Sequence, residues 1–483
     1  MSFRHLIFTI SVVLIVFSAA LLACTFVAWG YGGGDALAFL VTTLITTALG
    51  LVGVSTTRLE GSLTIREGYA VVSLTWIVLG VVGSLPYLLS GVVDSPVAAL
   101  FESVSGFTTT GATVFADIET LPHGILFWRS LTQWLGGMGI ILLGVAILPF
   151  LGAGGMHLFR AEVPGPTPER LSPRIAKTAK LLWYVYVGLT GALIILFLAG
   201  GLGPFDALNH AFTTMPTGGF STRNQSAADF DSAFVQYTII GFMYLAGVNF
   251  VLHFQALSGK VGGYWASSEW RFYTGVLLVG LALVFVLALF SNASSGLGLE
   301  RVFRNALFQV VSIGTGTGFV TYDYGVWPLA AQLVLLMLMF MGGMAGSTAG
   351  GIKSMRMYVL FKAGISELRR SLHPRAVVVT RMGSRALEES ELLNILGFVL
   401  LFFGFFSVGV FVLSALGHDL TTAIGASVAA IANIGPGLGA VGAAENYGWM
   451  DPASHLILIG LMIVGRLEIF TVLLLFHPDL WRR

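Results

Sequence analysis

Charge is what this chain has least of. Only 10% of its 483 residues are Asp, Glu, Lys or Arg, where a soluble domain carries roughly 25%. With 56% hydrophobic residues it lacks the polar side chains to cover a soluble globule. That excludes a soluble enzyme. A net charge of +1 gives no electrostatic footprint for nucleic acid. So apolar a composition also excludes intrinsic disorder. Cysteine is nearly missing: Cys24 stands alone in an apolar run, so no intramolecular disulfide forms. No P-loop motif is present, so the chain shows no ATPase signature. What remains is a polytopic membrane protein. Glycine goes the other way, with 61 residues, well above the usual share of roughly 7%.

A bilayer-spanning helix needs about 20 apolar residues. Ten segments qualify, at 5–29, 36–55, 69–91, 125–152, 177–201, 232–257, 270–291, 326–363, 390–416 and 453–476. The first is too long for a signal-peptide core and has no convincing cleavage site, so it reads as an uncleaved helix. Basic residues set the orientation. One side receives Arg4, Arg58, Arg66, Arg160, Arg170, Arg174, Lys177, Lys180, Lys260, Arg271, the Lys353 to Arg385 cluster, Arg482 and Arg483. The other receives only Arg129, Arg223, Arg301 and Arg304. The rich side is the cytoplasm, with both termini there. Arg466 is left inside the last span.

Four connections on the basic-poor side align without gaps. Ala99-Leu100, Ala207-Leu208, Ala306-Leu307 and Ala423-Ile424 each stand twelve residues before a glycine. The aligned turns are Thr109-Thr110-Gly111, Thr217-Gly218-Gly219, Gly316-Thr317-Gly318 and Asn433-Ile434-Gly435. The unit is helix, half-helix, glycine turn, helix, repeated four times after two extra helices. Irregular backbone at membrane depth must be buried in protein or line a cavity. Four such turns around an axis form a ring of carbonyls able to replace a cation's hydration shell. Glycine permits the backbone angles this needs. The half-helices aim partly negative C-terminal ends at the centre. Asp94, Glu102, Asp117, Glu119, Asp206, Asp229, Asp231 and Asp419 are expected to gather cations at the outer mouth. The plainer alternative is that these turns are re-entrant loops that only pack helices together. Phe220 and Phe319, just after two of the glycines, either support the filter or are simply core.

The eighth span, 326–363, is nearly twice the length the hydrocarbon needs. Its middle holds Gly342, Gly343, Gly346, Gly350 and Gly351 with Ser347 and Thr348. Each glycine costs a helix interior roughly 1 kcal/mol. A loop at membrane depth is expected there, in the cation's path below the filter, where it serves as a gate. The competing explanation is a small-residue packing face. Arg466 is the second gate element. A charge in a span costs roughly 2.5–3.5 kcal/mol on insertion scales. Either it pairs with Glu468 or another acid, or it projects into the pore and raises the barrier to cations.

These residues resemble the TrkH type of the Trk/Ktr/HKT superfamily of potassium transporters, over nearly the whole chain. Trp134-Leu135-Gly136-Gly137-Met138-Gly139 resembles the start of the family's first inner helix. The run from Gly342 to Lys353 resembles its interrupted third inner helix, and Gly465-Arg466-Leu467-Glu468 its basic motif in the fourth. The resemblance implies an all-α polytopic membrane fold. It has four membrane–pore–membrane repeats around a single pore, plus two extra N-terminal helices. The expected divisions are 1–60 for the extra helices, then 61–155, 156–262, 263–375 and 376–483 for the repeats. It implies filter glycines at Gly111, Gly219, Gly318 and Gly435. It implies K+ as the transported substrate, with no organic cofactor on this chain. A serine at the first filter glycine is associated in this superfamily with sodium, so Gly111 favours potassium. Gly316 and Asn433 depart from the usual hydroxyl residue. The resemblance further implies a homodimer in a bacterial inner membrane and a cytoplasmic ring of nucleotide-binding regulators of the TrkA type.

The remaining features are minor. His210, His253 and His455 make no metal-ligand spacing and read as structural. Trp128, Trp183, Trp265, Trp270, Trp327 and Trp449 read as interface anchors. The connection 364–389, with Arg369, Arg370, Arg375, Arg381 and Arg385, suits anionic lipid or the regulator ring. The connection 153–180, with Pro164, Pro166 and Pro168, is a second regulatory candidate. Two alternatives compete with a channel. A potassium/proton or potassium/sodium symporter needs midplane coupling sites, and the spans hold few acids beyond Glu468. A membrane enzyme needs a polar catalytic cluster, and none is evident.

Overall fold

Uninterrupted apolar runs fold as long helices, and glycine-rich or polar breaks end them. A computed structural model describes residues 3–58, 64–139, 175–292, 295–375, 380–382 and 385–481. The long helices are α1 (Phe3–Gly30), α2 (Ala36–Thr56), α3 (Ile65–Leu89), α6 (Ile175–Ala199), α11 (Ser268–Leu289) and α15 (Glu389–Ala415). Four short helices lie between them: α4 (Pro96–Phe107), α7 (Pro204–Thr214), α12 (Leu299–Gly314) and α16 (Leu420–Ile431). They are the four expected half-helices. Their starts carry ordinary signals. Ser95 caps α4, with Pro96 at the first helical position. Asp419 caps α16 through Thr422 N. Thr64 and Glu67 form a reciprocal capping box on α3.

The last helix of each repeat departs from the simple span. α5 (His123–Trp134) passes into one π-helical turn, Leu135–Gly139, a distortion common at functional sites. The sixth expected span, 232–257, is two helices, α8 (Ala233–Ala246) and α9 (Phe250–Leu257), bent by 104°. The tenth is likewise α17 (Pro452–Arg466) and α18 (Ile469–Phe476), bent by 114°. The first bend follows Gly247, after which Asn249 caps α9 by accepting from Val251 N at 2.8 Å. The second turns on Glu468, whose φ of 57° is left-handed. The eighth span is α13 (Leu329–Phe340) and α14 (Ser354–Leu372), separated by a non-helical stretch at 341–353. Among the described residues six single helices are long and apolar enough to cross a membrane, or eight spans with each bent pair counted as one. Short α10 (Gly263–Ala266) and α19 (Pro478–Trp481) complete the helices. The only strands among the described residues are β1 (Arg381–Met382) and β2 (Arg385–Ala386), a two-residue antiparallel pair. The far end of the fourth expected span, the 153–180 connection up to residue 174, Arg160, Arg170, Arg174, Arg482 and Arg483 lie outside the described residues.

The two extra helices are built into the core. Buried Asp35, just before α2, accepts from Ile125 N in the first turn of α5 at 3.0 Å. Phe17 of α1 packs on Phe107 and Trp128, ring centroids 5.6 and 5.5 Å apart. Trp128 is fully buried and donates to Gly83 O, and Trp327 is 4% exposed. Those two tryptophans are core residues, not interface anchors.

Close approach at the inner helices depends on glycine. A Cβ on Gly136 would lie 1.9 Å from Phe107 O, and one on Gly465 1.9 Å from Ile431 O. Both carbonyls belong to the last turn of a short helix, four residues before Gly111 and Gly435. Gly465→Ala is therefore expected to cost about 1–3 kcal/mol by overpacking. Gly460→Ala in the same helix, where the methyl meets nothing within 4 Å, is the control. Thermal unfolding in detergent should show a lower midpoint for the first variant only.

Candidate functional site

All four short helices end in the same hydrogen-bond pattern. The N–H of Thr109, Thr217, Gly316 and Asn433 bonds back three residues, to Gly106, Thr214, Ile313 and Ala430. The next N–H, of Thr110, Gly218, Thr317 and Ile434, bonds back five, to Ser105, Thr213, Ser312 and Ala429. This is the Schellman motif, which ends a helix by turning one residue left-handed. That residue is usually glycine. Here φ is 55° at Thr109, 56° at Thr217, 72° at Gly316 and 54° at Asn433. Gly316 and Asn433 thus hold residue types that favour this region, while β-branched Thr109 and Thr217 are the strained members. Two residues on, φ is positive again at Gly111, Gly219, Gly318 and Gly435.

The four turns close on one another. A Cβ on Gly111 would stand 2.1 Å from Gly218 O, on Gly219 2.0 Å from Thr317 O, and on Gly318 2.0 Å from Ile434 O. A Cβ on Gly435 would stand 2.6 Å from Thr110 O, which completes the circle. Each filter-position glycine therefore lies against the carbonyl preceding the glycine of the next turn. The turns are buried except at Gly111 and Gly219, which are partly exposed. Phe220 and Phe319 pack behind them, 2% and 0% exposed.

Polar side chains hold the returning chain after each turn. The position nine residues before the glycine is Glu102, His210, Gln309 or Ala426. Glu102 accepts from Val114 N at 2.9 Å and Thr113 Oγ1 at 3.1 Å. His210 Nε2 meets Ser221 Oγ at 2.9 Å, and Gln309 donates to Tyr322 O at 3.1 Å. In the fourth turn the backbones touch instead, because a Cβ on Gly437 would lie 2.6 Å from Gly425 O. Glu102 is no mouth acid. It is fully buried, paired with Arg129 at 2.8 Å. Arg129 also donates to Ser221 O at 3.0 Å and stands 4.2 Å from the Phe220 ring centroid. Other expected mouth acids are engaged in the loops: Asp206 with Arg223 at 2.5 Å, and Asp117 and Glu119 with Asn224. His253 bonds Leu245 O and Tyr264, and His455 bonds Tyr447 O.

The 341–353 stretch lies against the helix ends of the ring. Thr348 Oγ1 donates to Met215 O at 3.0 Å and Ala246 O at 3.2 Å. Met344 N bonds Gly247 O at 2.8 Å, and Phe250 N bonds Gly346 O at 3.1 Å. A Cβ on Gly350 would lie 2.4 Å from Ala432 O. The stretch closes on itself where Gly342 N bonds Ile352 O at 2.8 Å, with left-handed Gly346 and Gly351. A Cβ on Gly342 would meet Gly350 O at 1.8 Å, and one on Gly343 would meet Ser347 Oγ at 2.8 Å. Glu269 accepts from Ala345 N at 2.7 Å and Ser354 Oγ at 3.0 Å. Lys353 Nζ donates to Ala349 O. Arg466 donates to Thr348 O at 2.9 Å, Gly136 O at 2.8 Å and Gly137 O at 3.1 Å. Glu468 is taken by Arg356, at 2.7 and 3.0 Å. Arg466 is therefore a clasp between three chain segments, a role the sequence did not reveal. The residues at the turns that sequence reasoning missed are Arg129 and Gln133 on α5, which bond Ser221 O and Gly218 O. Their only signal was two polar residues four apart in an apolar helix.

A family model described as TrkH, cation transport protein, matches residues 36–483. The chain is 43% identical over 489 residues to the Trk system potassium uptake protein TrkH of Salmonella typhimurium, with 100% of both covered. It is 34% identical over 471 residues to the Trk system potassium uptake protein TrkG of Escherichia coli, covering 97% of this chain and 96% of that one. The crystal structure of the potassium transporter TrkH from Vibrio parahaemolyticus matches with a TM-score of 0.89 at 39% identity, over 100% of both chains.

Removing one partner of a buried ion pair strands the other. Glu102→Gln is expected to lower stability by about 3–5 kcal/mol. Glu102→Gln combined with Arg129→Gln should cost less than the two single changes summed. Thermal unfolding of the three variants in detergent measures both.

Proposed function

The chain belongs to the TrkH family of cation transport proteins, and on that premise we propose that it takes up potassium by channel-like permeation. The observation that carries this reading is the closed ring, in which each of four glycines fits against the carbonyl of the next turn. The filter comprises Thr109, Thr110, Gly111, Thr217, Gly218, Gly219, Gly316, Thr317, Gly318, Asn433, Ile434 and Gly435. Positive φ at alternate residues of every turn allows successive carbonyls to face one side, where they replace the water around K+. Thr109 Oγ1 is a buried oxygen with no hydrogen-bond partner among the described residues, which suits a cation nearby. The short-helix C-termini add negative potential.

The gate in this reading is the stretch with Gly342, Gly343, Gly346, Ser347, Thr348, Gly350 and Gly351, held by Arg466. Its bonds to Met215 O and Ala246 O support a closed state directly beneath the ring. Coupled symport gains nothing from the acids near the gate, since Glu468 is held by Arg356 and Glu269 by Ala345 N and Ser354. The proposed divisions remain 1–60, 61–155, 156–262, 263–375 and 376–483. The proposed setting is a bacterial inner membrane with both termini cytoplasmic. The relatives are named as parts of a Trk system, which supports a cytoplasmic regulator ring of the TrkA type; a homodimer is proposed with it.

Three measurements test the reading. Purified protein in liposomes should show a reversal potential that follows the K+ gradient and ignores pH and Na+ gradients. A shift with either gradient would sink the channel. Gly111→Ser brings a Cβ to 2.1 Å from Gly218 O, so the ring must shift, and the K+ over Na+ ratio should fall. Arg466→Ala frees Thr348 O from its clasp and should raise cation flux. Unchanged or lower flux in folded protein would reject its gating role.

A further inference from the structure

Three of the four turns carry a side chain just before the filter glycine: Thr110, Thr317 and Ile434. The second has Gly218. In turns one and three that side chain forms a local tie, Thr108 to Thr110 at 2.7 Å and Thr315 to Thr317 at 2.7 Å. The second turn has Pro216 and Gly218 at the same places and can form no such tie. The fourth is restrained otherwise. Asn433 Nδ2 donates to Thr110 Oγ1 and Met462 O, each at 3.0 Å, and Tyr447 hydroxyl donates to Gly435 O at 2.7 Å. With Gly218 and Gly219 in succession, the second turn has the least stiffness of its own.

Its restraint comes from a different repeat. Gln133 on α5 is fully buried. Its Nε2 donates to Gly218 O at 2.7 Å, and its Oε1 accepts from Phe220 N at 3.1 Å. The two bonds bracket Gly219, and the donor and acceptor they meet set the amide's orientation. A Cβ on Gly218 would lie 2.4 Å from both Cδ and Oε1 of Gln133. The amide thus occupies the space where residue 218 would carry its own side chain. Arg129, one helical turn earlier, reaches Ser221 O in the same strand.

We infer that Gln133 is a positioning residue for the second filter turn, standing in for the side chain that turn lacks, and that discrimination of K+ from Na+ depends on it. This rests on the filter reading above. Na+ is smaller than K+, and a ring that contracts around it loses its preference. Held by Gln133, the Gly218 carbonyl cannot move inward; without it, two glycines yield.

The test compares wild type, Gln133→Ala, and Gln133→Ala with Gly218→Thr, all purified and placed in liposomes between K+ and Na+ solutions. The φ at Gly218 is not left-handed, so threonine fits there once the amide is gone, and its hydroxyl can meet the neighbouring turn as Thr110 meets Asn433. Reversal potentials give the K+ over Na+ ratio. Gln133→Ala should lower the ratio by about tenfold, the scale of one lost buried hydrogen bond. The double variant should recover most of it. A folded Gln133→Ala protein with the wild-type ratio overturns the inference, as does a loss that the double variant leaves unrepaired. Should Gln133→Ala alone not fold, the double variant decides: it is expected to fold and discriminate, and its failure in either overturns the inference. A wild type that does not discriminate would instead overturn the filter reading, and the inference that rests on it.

Discussion

Four helices end buried in protein, where no solvent satisfies their last backbone groups, and the rest of the structure answers that problem. An unpaired polar group buried there costs about 1–3 kcal/mol. The Schellman turns spend the N–H groups that follow each helix on its own carbonyls. They also reverse the handedness of one residue, which turns the chain away from the helix axis. The carbonyls left over in the last helical turn then govern what lies beneath. Phe107 O and Ile431 O are approached so closely that only Gly136 and Gly465 fit against them, and Met215 O receives the Thr348 hydroxyl. The irregular inner helices follow from this crowding: a regular helix with ordinary side chains has no room under the ring.

Scarcity of charge has a structural counterpart. The ionic groups found at depth are bound into backbone. Arg129 joins a short helix, its own inner helix and the neighbouring returning strand. Arg466 joins the ends of α5 and α17 to the 341–353 stretch. Glu269 and Lys353 hold that same stretch from its two sides. Arg466 alone supplies three hydrogen bonds that the irregular backbone around it would otherwise miss.

Much of the half-helix and turn arrangement was legible, because glycine at a fixed twelve-residue distance survives as a pattern in sequence. Three things were not. The bends at Gly247 and Glu468 sit in runs so apolar that one polar residue does not break the hydropathy pattern. Left-handed φ at Thr109 and Thr217 contradicts residue preference, and the backbone hydrogen bonds that end each helix hold it there. The fate of Glu102 was misjudged because its partner Arg129 lies 27 residues away, beyond two turns of chain. Linear spacing along one helix can suggest a pair at four residues; it is silent on a pair made by the return of the chain.

A ring made of four copies of one chain must restrain every turn in the same way. A ring made within one chain need not. Here the position nine residues before each glycine holds an acid, an imidazole, an amide and a methyl group, and each returning strand is tied by different chemistry. The same freedom lets a single repeat carry the extended break. The 341–353 stretch leans on the helix ends of the second and fourth repeats and is clasped by Arg466 to the first. In the gate reading proposed above, one segment that touches all of its neighbours obstructs the axis without three symmetric partners competing for the same space. On that reading, divergence among the four turns leaves room for a barrier made in one piece.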